Sequence, residues 1–503
     1  MPAAVKLNIC AIASEVVPFA KTGGLADVAG ALPRALAALG HDVRILMPKY
    51  RGVEDMAESV HMAVPGVRIS LGDREAEGDL LAGRAPSGVP MYFLAQDHYY
   101  DREQLYGTAD GDYWDNCERF VFFCRAGLEA VARLGEEGGG GLWRPQIVHA
   151  HDWQTGLVPI YLHTLYRDHP TLAKVPTVFT IHNLAYQGVF WHYDMPMTGL
   201  GWDLFTPAGL EFYGNLNFLK GGLVFSDLLT TVSRTYAREI RTPAFGAGLE
   251  GVLDERSHDL HGIVNGIDYD TWNPAKDPAI VAPYSSEDPD GKAACREGLR
   301  AQLGLVRGPG PVIGLVTRLV EQKGVDLVLG ALPALLAEGC QLVVLGAGDA
   351  PLEDGLRAAA RAHPAQVAVR IGYDGDLARR IYAGADAFLM PSRYEPCGLG
   401  QLIALRYGTV PIVRRTGGLA DTVTEFDPAR RSGTGFIFDA LAVEALVDAV
   451  RRAAAAYRQP ALWKALVKNA MTEDFSWEAS AREYATLYGK ALRPGASSNR
   501  RPG

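Results

Sequence analysis

Two basic residues, Arg318 and Lys323, stand five positions apart just after an apolar run that is typical of a strand. A turn between them can bring both cationic side chains to one point beyond the end of that strand. Two fixed cations suit a diphosphate, above all one that gains negative charge as it leaves in a reaction. A solvated pair of surface cations is the alternative interpretation.

A second candidate segment, residues 391–400, again stands between a predicted strand and a predicted helix. Glu395 could accept hydrogen bonds from sugar hydroxyls, and the backbone N–H groups of residues 397–399 would be free at the start of the helix. A carboxylate that only stabilises the following helix is the alternative. Cys397 could also be a nucleophile, but the sequence places no histidine partner beside it.

A third cluster contains His149, His151 and Asp152 after one predicted strand and His182 after the next. The HxH pair could ligate a metal for hydrolysis, although the pattern of elements is not that of a barrel. Buried core histidines and helix caps are the commoner use of such residues. In a cleft between two sheets, Asp152 and His182 would instead bind a neutral, hydroxyl-rich substrate by hydrogen bonds.

Two glycine patterns add to these candidates. The sequence TGGLAD occurs twice, at residues 22–27 and 416–421, each time between a predicted strand and a predicted helix. Such a loop can be a generic tight turn, or it can bring backbone N–H groups and a helix N-terminus toward a ligand. A further pair, Gly346 and Gly348, suggests a dinucleotide fingerprint, but Pro351 occupies the third glycine position, so we discount NAD.

The elements that position these residues alternate between short β-branched strands and Ala/Leu-rich helices. In the first half we expect strands at residues 7–13, 43–47, 147–149 and 177–181, with a helix at 25–39. In the second half we expect strands at 312–316, 342–345, 367–371, 387–390 and 410–413. This alternation predicts an α/β protein with two parallel, doubly wound sheets, whose ligands bind beyond the carboxyl ends of the strands.

Less regular segments separate or end these halves. Residues 270–291 are rich in Pro, Asp and Ser and are the best candidate for a linker. We expect a mobile loop at residues 138–141 and a disordered tail at 493–503.

Composition limits the classes of function. The chain has 503 residues, enough for two or three domains, and its 48% apolar and 21% charged residues are typical of a folded globular protein. A net charge of −9 with no long basic run argues against nucleic acid and anionic membranes as partners. Six cysteines without CxxC spacing, and the lack of a signal-peptide core or an apolar span, predict a cytoplasmic protein.

Several motifs, in order, resemble those of bacterial glycogen synthases and plant starch synthases. They are SEVVPFAKTGGLADV, HAHDW, IHNLAYQG, VNGID, TRLVEQKG, SRYEPCGLGQL and RRTGGLADTV. Members of this family are retaining glucosyltransferases of the GT-B fold that use ADP-glucose. The resemblance runs from about residue 7 to 490 and implies two Rossmann-like domains that face each other across a deep cleft.

The resemblance also implies roles for individual residues. Donor contacts fall on Lys21, Gly23, Gly24, Asn265, Arg318, Lys323, Tyr373, Cys397, Gly398, Leu399 and Thr416. Catalytic roles fall on Lys21, His182, Arg318, Lys323 and Glu395, and acceptor contacts fall on Glu15, Asp152 and Trp153. In this scheme Lys21, Arg318 and Lys323 stabilise the departing ADP, and Tyr373 stacks on the adenine.

The implied domains are residues 1–266 on the side of the α-1,4-glucan acceptor and 267–479 on the ADP-glucose side. A C-terminal helix within residues 480–503 would pack back on the first domain before the disordered tail. Ile403 stands where many related enzymes carry a second glutamate, so a covalent glucosyl-enzyme is not expected. Neither a metal nor another cofactor is expected, because the cations neutralise the leaving group.

Two other interpretations remain open. A GT-B enzyme with another donor, such as UDP-glucose, or another acceptor would show many of the same motifs. A glucan-binding scaffold without catalysis is the alternative from another class, although a pure binder has no need of a phosphate site.

Overall fold

The computed structural model describes residues 6–108, 110–135 and 143–493. Within them the chain forms two compact units. Unit 1 takes the described residues up to Val232, Ala237–Ile263 and those from Trp477, and unit 2 takes Ser233–Tyr236 and Val264–Ser476. The loop predicted at 138–141 and the predicted tail after Arg493 lie outside the described residues. The domain ranges expected from the sequence stay a prediction.

Strands and helices alternate along the first part of the chain. In order they are β1 (Asn8–Ile12), α1 (Gly24–Ala38), β2 (Asp42–Pro48), α2 (Val53–Met56), β3 (Glu58–Leu71), β4 (Arg74–Arg84), β5 (Pro90–Ala95), α3 (Asp97–Tyr100), β6 (Gly107–Thr108), β7 (Gly111–Asp112), α4 (Asn116–Leu134), β8 (Ile147–His151), α5 (Leu157–His163), β9 (Thr177–Ile181), β10 (Val189–Trp191), α6 (Met195–Thr198), β11 (Glu211–Phe212), β12 (Asn215–Asn217), α7 (Phe218–Phe225), β13 (Leu228–Thr231), α8 (Arg234–Glu239), α9 (Glu250–Glu255) and β14 (Leu260–Gly262).

The second part repeats the alternation. Its elements are α10 (Asp290–Leu303), β15 (Val312–Val316), α11 (Val325–Ala337), β16 (Gln341–Gly346), α12 (Ala350–Ala362), β17 (Val367–Ile371), α13 (Gly375–Gly384), β18 (Ala387–Met390), α14 (Gly400–Arg406), β19 (Val410–Arg414), α15 (Gly417–Thr422), β20 (Phe436–Phe438), α16 (Val443–Tyr457), α17 (Pro460–Thr472) and α18 (Trp477–Ala491).

The main sheet of unit 1 has the strand order β14-β13-β9-β8-β1-β2-β5-β4-β3. From β14 to β5 all neighbours are parallel, whereas β4 pairs antiparallel with both β5 and β3. Counted in chain order, the parallel strands follow the Rossmann arrangement 3-2-1-4-5-6 with one further strand. The expectation of a purely parallel sheet is therefore wrong at one edge, where β3 and β4 form a long hairpin.

The sheet of unit 2 has the order β17-β16-β15-β18-β19-β20, and all its pairs are parallel. In chain order this is again 3-2-1-4-5-6. Its central strands are continuous apolar runs because helices cover both faces of a parallel sheet. Leu342, Val344, Phe388 and Ile412 lie in the resulting core.

Residues 270–291 are not a linker, because they belong to unit 2 and pack onto it. The buried carboxylate of Asp277 accepts hydrogen bonds from the hydroxyl of Tyr407 (2.5 Å) and from Arg379 (3.0 Å). Tyr284 is buried and donates to the backbone carbonyl of Tyr407 (2.9 Å). The Pro- and Ser-rich composition therefore marks an irregular segment that is fixed by side-chain bonds.

Helix α18 belongs to unit 1, where it packs against α1. Its buried Tyr488 reaches the middle of β8 through a hydrogen bond between its hydroxyl and Nδ1 of His149 (2.8 Å). The C-terminal helix thus completes the first Rossmann unit. No helix within the described ranges is both long and apolar enough to cross a membrane.

Candidate active site

In each sheet the strand order reverses between two neighbouring parallel strands, and the loops after those strands carry predicted site residues. The reversal lies between β1 and β8 in unit 1, and between β15 and β18 in unit 2. Open α/β sheets bind ligands outside the carboxyl ends of the strands at such a point. Each unit therefore has a candidate site of its own at the loops after these strands.

The loop after β1 is held by Glu15, whose carboxylate is buried. Oε2 accepts hydrogen bonds from the backbone N–H groups of Thr22 (2.5 Å) and Gly23 (3.3 Å). Oε1 accepts from the hydroxyls of Thr22 (2.7 Å) and Tyr106 (2.8 Å). Glu15 thus fixes the glycine loop at the start of α1, and its contact with an acceptor stays a prediction.

Lys21, Gly23 and Gly24 lie on the open side of this loop. The Lys21 side chain is 52% exposed, and its Nζ lies 2.7 Å from Oδ1 of Asp27 in the first turn of α1. A Cβ added at Gly23 or Gly24 would meet nothing within 4 Å, and neither glycine has a positive φ. Nothing in the described chain requires glycine there, so the bare N-terminus of α1 can receive an anionic group at close range.

Asp152 follows β8 with a φ of 56°, a left-handed conformation that is uncommon outside glycine. Its Oδ1 accepts a hydrogen bond from the backbone N–H of His182 (2.7 Å), which ties the end of β8 to that of β9. Burial raises the pKa of Asp152 to about 8, an effect that backbone N–H donors oppose and the charge of Glu15 reinforces. A largely protonated carboxyl can both donate and accept, which suits a neutral hydroxyl.

Trp153 forms an aromatic wall beside Asp152. Its ring centroid lies 4.9 Å from that of Phe120 and 5.7 Å from that of Phe190. Gly188 has a positive φ and packs so tightly on the indole that an added Cβ would approach Cε3 to 2.3 Å. The orientation of the indole is therefore fixed by its neighbours.

His182 is buried, and its Nε2 lies 3.0 Å from Nδ1 of His151. Burial lowers the pKa of His182 well below its usual value, so the ring is neutral. The metal interpretation of the HxH pair finds no support, because His149 bonds a hydroxyl of unit 1 through each ring nitrogen: Tyr488 at Nδ1 and Thr180 at Nε2.

In unit 2, Lys323 and Glu395 form an ion pair with 2.6 Å between Nζ and Oε2. Ser392 donates a second hydrogen bond to the same carboxylate oxygen (2.9 Å). Gly324 follows Lys323 with a φ of 68°, and a Cβ there would meet the carbonyl of Pro391 at 2.2 Å. Only glycine lets the two loops approach this closely, so Gly324 helps to bring Lys323 to Glu395.

Arg318 precedes Lys323 by five positions in the same loop, and its side chain is exposed. It has no hydrogen bond or ion pair to any residue within 6–108, 110–135 or 143–493. A cation that the protein leaves without an anion is available to a ligand.

The loop after β18 is supported by a residue that the sequence analysis missed, Gln401. Its Nε2 donates to the backbone carbonyls of Cys397 and Gly398, each at 2.9 Å, just before Leu399 and α14. The signal was a single amide, Gln401, directly before the apolar residues 402–405 of α14. Burial raises the pKa of Cys397 to about 12, which keeps the thiol protonated and contradicts its use as a nucleophile.

Asn265 lies beside this loop, because its backbone N–H points to the sulfur of Cys397. The side chain is buried, and its Oδ1 has no hydrogen-bond partner among the described residues. A buried amide oxygen without a partner is costly unless a ligand supplies a donor. The Oδ1 of Asn265 is therefore able to accept a further hydrogen bond, and its contact with the donor stays a prediction.

The second TGGLAD sequence serves a different purpose from the first. Thr416 is buried, and Gly417 has a φ of 44° with the carbonyl of Glu395 only 1.9 Å from where a Cβ would stand. A Cβ on Gly418 would meet the carbonyl of Cys397 at 2.0 Å. These glycines let α15 support the Glu395 loop, whereas the glycines of the first copy face open space.

Tyr373 and the pair Gly346 and Gly348 are the remaining predicted features of unit 2, and they lie in different surroundings. Tyr373 is 98% exposed after β17, which leaves both faces of its ring open. Gly346 and Gly348 are instead in contact with the segment that carries Arg318, because a Cβ on them would meet the carbonyls of Thr317 (1.9 Å) and Leu319 (2.2 Å). Their spacing thus reflects backbone packing rather than a dinucleotide site.

Comparison with known proteins agrees with this geometry. The starch synthase catalytic domain family matches residues 8–255, and the glycosyl transferases group 1 family matches residues 300–470. Sucrose-phosphate synthase from Thermosynechococcus elongatus shares the fold, with a TM-score of 0.55 at 20% identity over 96% of this chain and 99% of that chain. The protein is a glycosyltransferase of the GT-B fold.

Relatives over the full length narrow this class. Glycogen synthases of Syntrophotalea carbinolica and Anaeromyxobacter dehalogenans are 51% and 50% identical, over 97% of this chain and 99% and 100% of their own. The catalytic domain of starch synthase IV from Arabidopsis thaliana, bound to ADP and acarbose, has a TM-score of 0.86 at 35% identity, and the match covers 97% of this chain and 99% of that one. The chain belongs to the glycogen and starch synthase family, as its motifs indicated.

Proposed function

We propose that the protein transfers glucose from ADP-glucose to the 4-hydroxyl at the non-reducing end of an α-1,4-glucan and releases ADP. The observation that carries the proposal is that the loops after β1 and β8 in unit 1, and after β15 and β18 in unit 2, hold predicted site residues at both strand-order reversals of a chain from the glycogen and starch synthase family. A ligand-binding loop at each reversal is what transfer between two substrates requires. The similar starch synthase structure holds ADP, which favours ADP-glucose over UDP-glucose as the donor.

Unit 2 provides the donor contacts in this proposal. Arg318 is unpaired in the described chain, and Lys323 is held by Glu395, so both can bind the diphosphate. Glu395, the unpartnered oxygen of Asn265, Thr416 and the N–H groups of residues 397–399 bind the glucose hydroxyls. Tyr373 offers an exposed ring for the adenine.

Unit 1 provides a third cation and the acceptor contacts. Lys21 and the open backbone at Gly23 and Gly24 bind the donor phosphate. Asp152 and Trp153 bind the glucan end by hydrogen bonding and stacking, and Glu15 supports them through the loop.

An exposed aromatic surface supports a neutral polysaccharide as the acceptor. Trp191 and Tyr193 are about three-fifths exposed, with ring centroids 4.6 Å apart, and Trp202 is half exposed. No lysine or arginine occurs in residues 183–219, the segment that carries these three rings. Flat aromatic rings without cations fit the apolar faces of glucose units.

The chemistry follows from charge separation. As the bond from C1 to the phosphate oxygen breaks, positive charge develops on the sugar and negative charge on ADP, which Lys21, Arg318 and Lys323 stabilise. The acceptor 4-hydroxyl attacks from the face that the phosphate leaves, and a phosphate oxygen takes its proton. Configuration is then retained without a covalent intermediate, in keeping with Ile403 at the position of a second carboxylate. In this scheme the three cations neutralise ADP, so no metal or other cofactor is needed.

We also assign the reaction to the cytoplasm. All six cysteines of the chain are free thiols and buried. Reduced cysteines fit a reducing compartment.

The proposal is tested by incubating the protein with maltotetraose and ADP-glucose, with and without EDTA, and measuring ADP and chain length by mass spectrometry. Expected are maltopentaose and longer chains with one ADP for each added glucose, unchanged by EDTA. Glucan binding without ADP release would favour the scaffold function, and extension from UDP-glucose alone would favour a different donor. Loss of turnover with EDTA would contradict the metal-free mechanism.

A further inference from the structure

Three buried histidines form a row at the carboxyl ends of β8 and β9. His149 and His151 are two positions apart on β8 and therefore project from the same face of the sheet. Their ring centroids lie 4.1 Å apart, at an interplanar angle of 36°. Nδ1 of His151 then lies 3.0 Å from Nε2 of His182, which follows β9. The HxH pair thus leads directly to a residue of the candidate active site.

The far end of the row is anchored by hydroxyl groups. His149 bonds the hydroxyl of Tyr488 at 2.8 Å and that of Thr180 at 2.6 Å. Thr180 in turn bonds the hydroxyl of Thr230 at 2.5 Å. With both ring nitrogens engaged, His149 cannot rotate, and it presents a fixed face to His151.

Burial couples the tautomers of His151 and His182. It lowers the pKa of His151 to about 3 and that of His182 well below its usual value, so both rings are neutral. A neutral imidazole has one donor and one acceptor nitrogen. A bond from Nδ1 of one ring to Nε2 of the other therefore requires both rings to carry the proton on the same kind of nitrogen, either both on Nδ1 or both on Nε2.

We infer that His151 is a positioning residue that fixes the ring orientation and tautomer of His182, and that His149 and Tyr488 hold His151 in place. Nδ1 of His182 makes no hydrogen bond to any residue in the described part of the chain, so it is available to substrate. That nitrogen donates or accepts according to the tautomer that His182 shares with His151. The inference rests on the proposed function for the role of His182 beside the donor sugar, and it assigns a use to the C-terminal helix that carries Tyr488.

A first test measures the histidine tautomers of the wild-type protein and uses variants only to assign the signals. Nitrogen-15 NMR of the protein labelled at histidine reports the tautomer of each ring, with His151 and His182 assigned through their single-residue variants. The same tautomer is expected for both rings. Both rings should stay neutral down to about pH 5.5, which is below the usual histidine pKa. Opposite tautomers would exclude the hydrogen bond and overturn the inference, whatever the activity of the protein.

A second test compares two substitutions of His151. His151→Asn keeps a polar atom near the position of Nδ1, whereas His151→Phe keeps a ring against His149 and removes the bond to His182. We expect His151→Phe to lower kcat about tenfold or more, because a small misplacement of an active-site group is costly, with little change in either KM. His151→Asn should recover most of kcat, and Tyr488→Phe should show a smaller loss.

The outcomes separate this inference from the proposed function. Equal kcat in both His151 variants and the wild type would overturn the inference, as would equal losses of kcat that follow the thermal unfolding midpoint. If the wild type transfers no glucose, the proposed function fails, while the tautomer measurement still decides whether His151 orients His182. If His151→Phe does not fold, the tautomers of His151 and His182 in the wild type decide the inference.

Discussion

Nζ of Lys323 lies 2.6 Å from Oε2 of Glu395, so the cation assigned to phosphate and the carboxylate assigned to sugar form one ion pair. Their side chains are only 15% and 7% exposed. A pair in this setting holds each partner in a fixed geometry, and removal of one partner leaves the other charge uncompensated. The two roles therefore depend on each other.

We expect Lys323→Ala to lower kcat by more than about tenfold, because it removes a preorganised charge from the departing diphosphate. Steady-state release of ADP measures the effect. Lys276→Ala is the matched control, since Lys276 forms an exposed ion pair with Asp270 in the same unit and should leave kcat unchanged. Wild-type turnover in Lys323→Ala would contradict the role.

The two TGGLAD sequences allow a paired glycine test. Gly24→Ala should leave the thermal unfolding midpoint near that of the wild type, since a Cβ there meets nothing within 4 Å, but it should raise KM for the donor. Gly418→Ala should lower the midpoint by roughly 5 °C or more, because the Cβ would meet the Cys397 carbonyl at 2.0 Å. The reverse pattern would show that the glycines of the first copy are structural and those of the second are not.

Tyr373 gives a test of the base contact. Tyr373→Ala should raise KM for ADP-glucose about tenfold with little change in kcat, as expected for the loss of one stacking interaction. Tyr373→Phe keeps the ring and should behave as the wild type. Trp114→Ala is the control for an exposed aromatic residue, because Trp114 is 88% exposed in unit 1. An unchanged KM in Tyr373→Ala would exclude stacking at this position.

The buried histidines predict a loss of stability in acid. Burial lowers the pKa of His149, His151 and His182 in the folded protein, while the unfolded chain binds protons near pH 6.5. Below that pH the unfolded state gains protons that the folded state excludes, so the free energy of unfolding falls as pH falls. Asp152 has the opposite effect, because its raised pKa lets the folded protein bind one proton that the unfolded chain does not bind in this pH range.

Thermal unfolding midpoints between pH 7.5 and 5 measure the effect. The wild type should lose stability on acidification, and His149→Gln should show a shallower slope even if its midpoint at pH 7.5 is lower. His61→Gln, a change at an exposed histidine of β3, should keep the wild-type slope. Equal slopes in all three proteins would contradict a neutral histidine row.

Regular elements of both sheets could be predicted from the sequence because parallel strands are buried on both faces. Strands β9, β15, β17 and β18 have the predicted bounds, and the other predicted strands differ by one or two residues at an end. The hairpin of β3 and β4 escaped prediction because its residues alternate between buried and exposed and include Pro65 and Gly66. Such a pattern at a sheet edge carries no continuous apolar run.

The candidate site could also be predicted only in part from the sequence. Spacing and strand ends indicated Arg318, Lys323 and Glu395, and the motif resemblance added Asn265 and Tyr373. The direct bond between Lys323 and Glu395 could not be read from the sequence, because the two residues are 72 positions apart and meet through the packing of β15 beside β18. For the same reason, identical TGGLAD sequences did not reveal that one faces open space and the other supports a neighbouring loop.

The most direct test of the proposed transfer is a donor competition. The protein is given maltotetraose with equal concentrations of ADP-glucose and UDP-glucose that carry different isotopes of glucose, and the product is analysed by mass spectrometry and NMR. We expect the label from ADP-glucose to enter the chain in new α-1,4 linkages. Label mainly from UDP-glucose, β-linkages, or no extension at all would contradict the assignment.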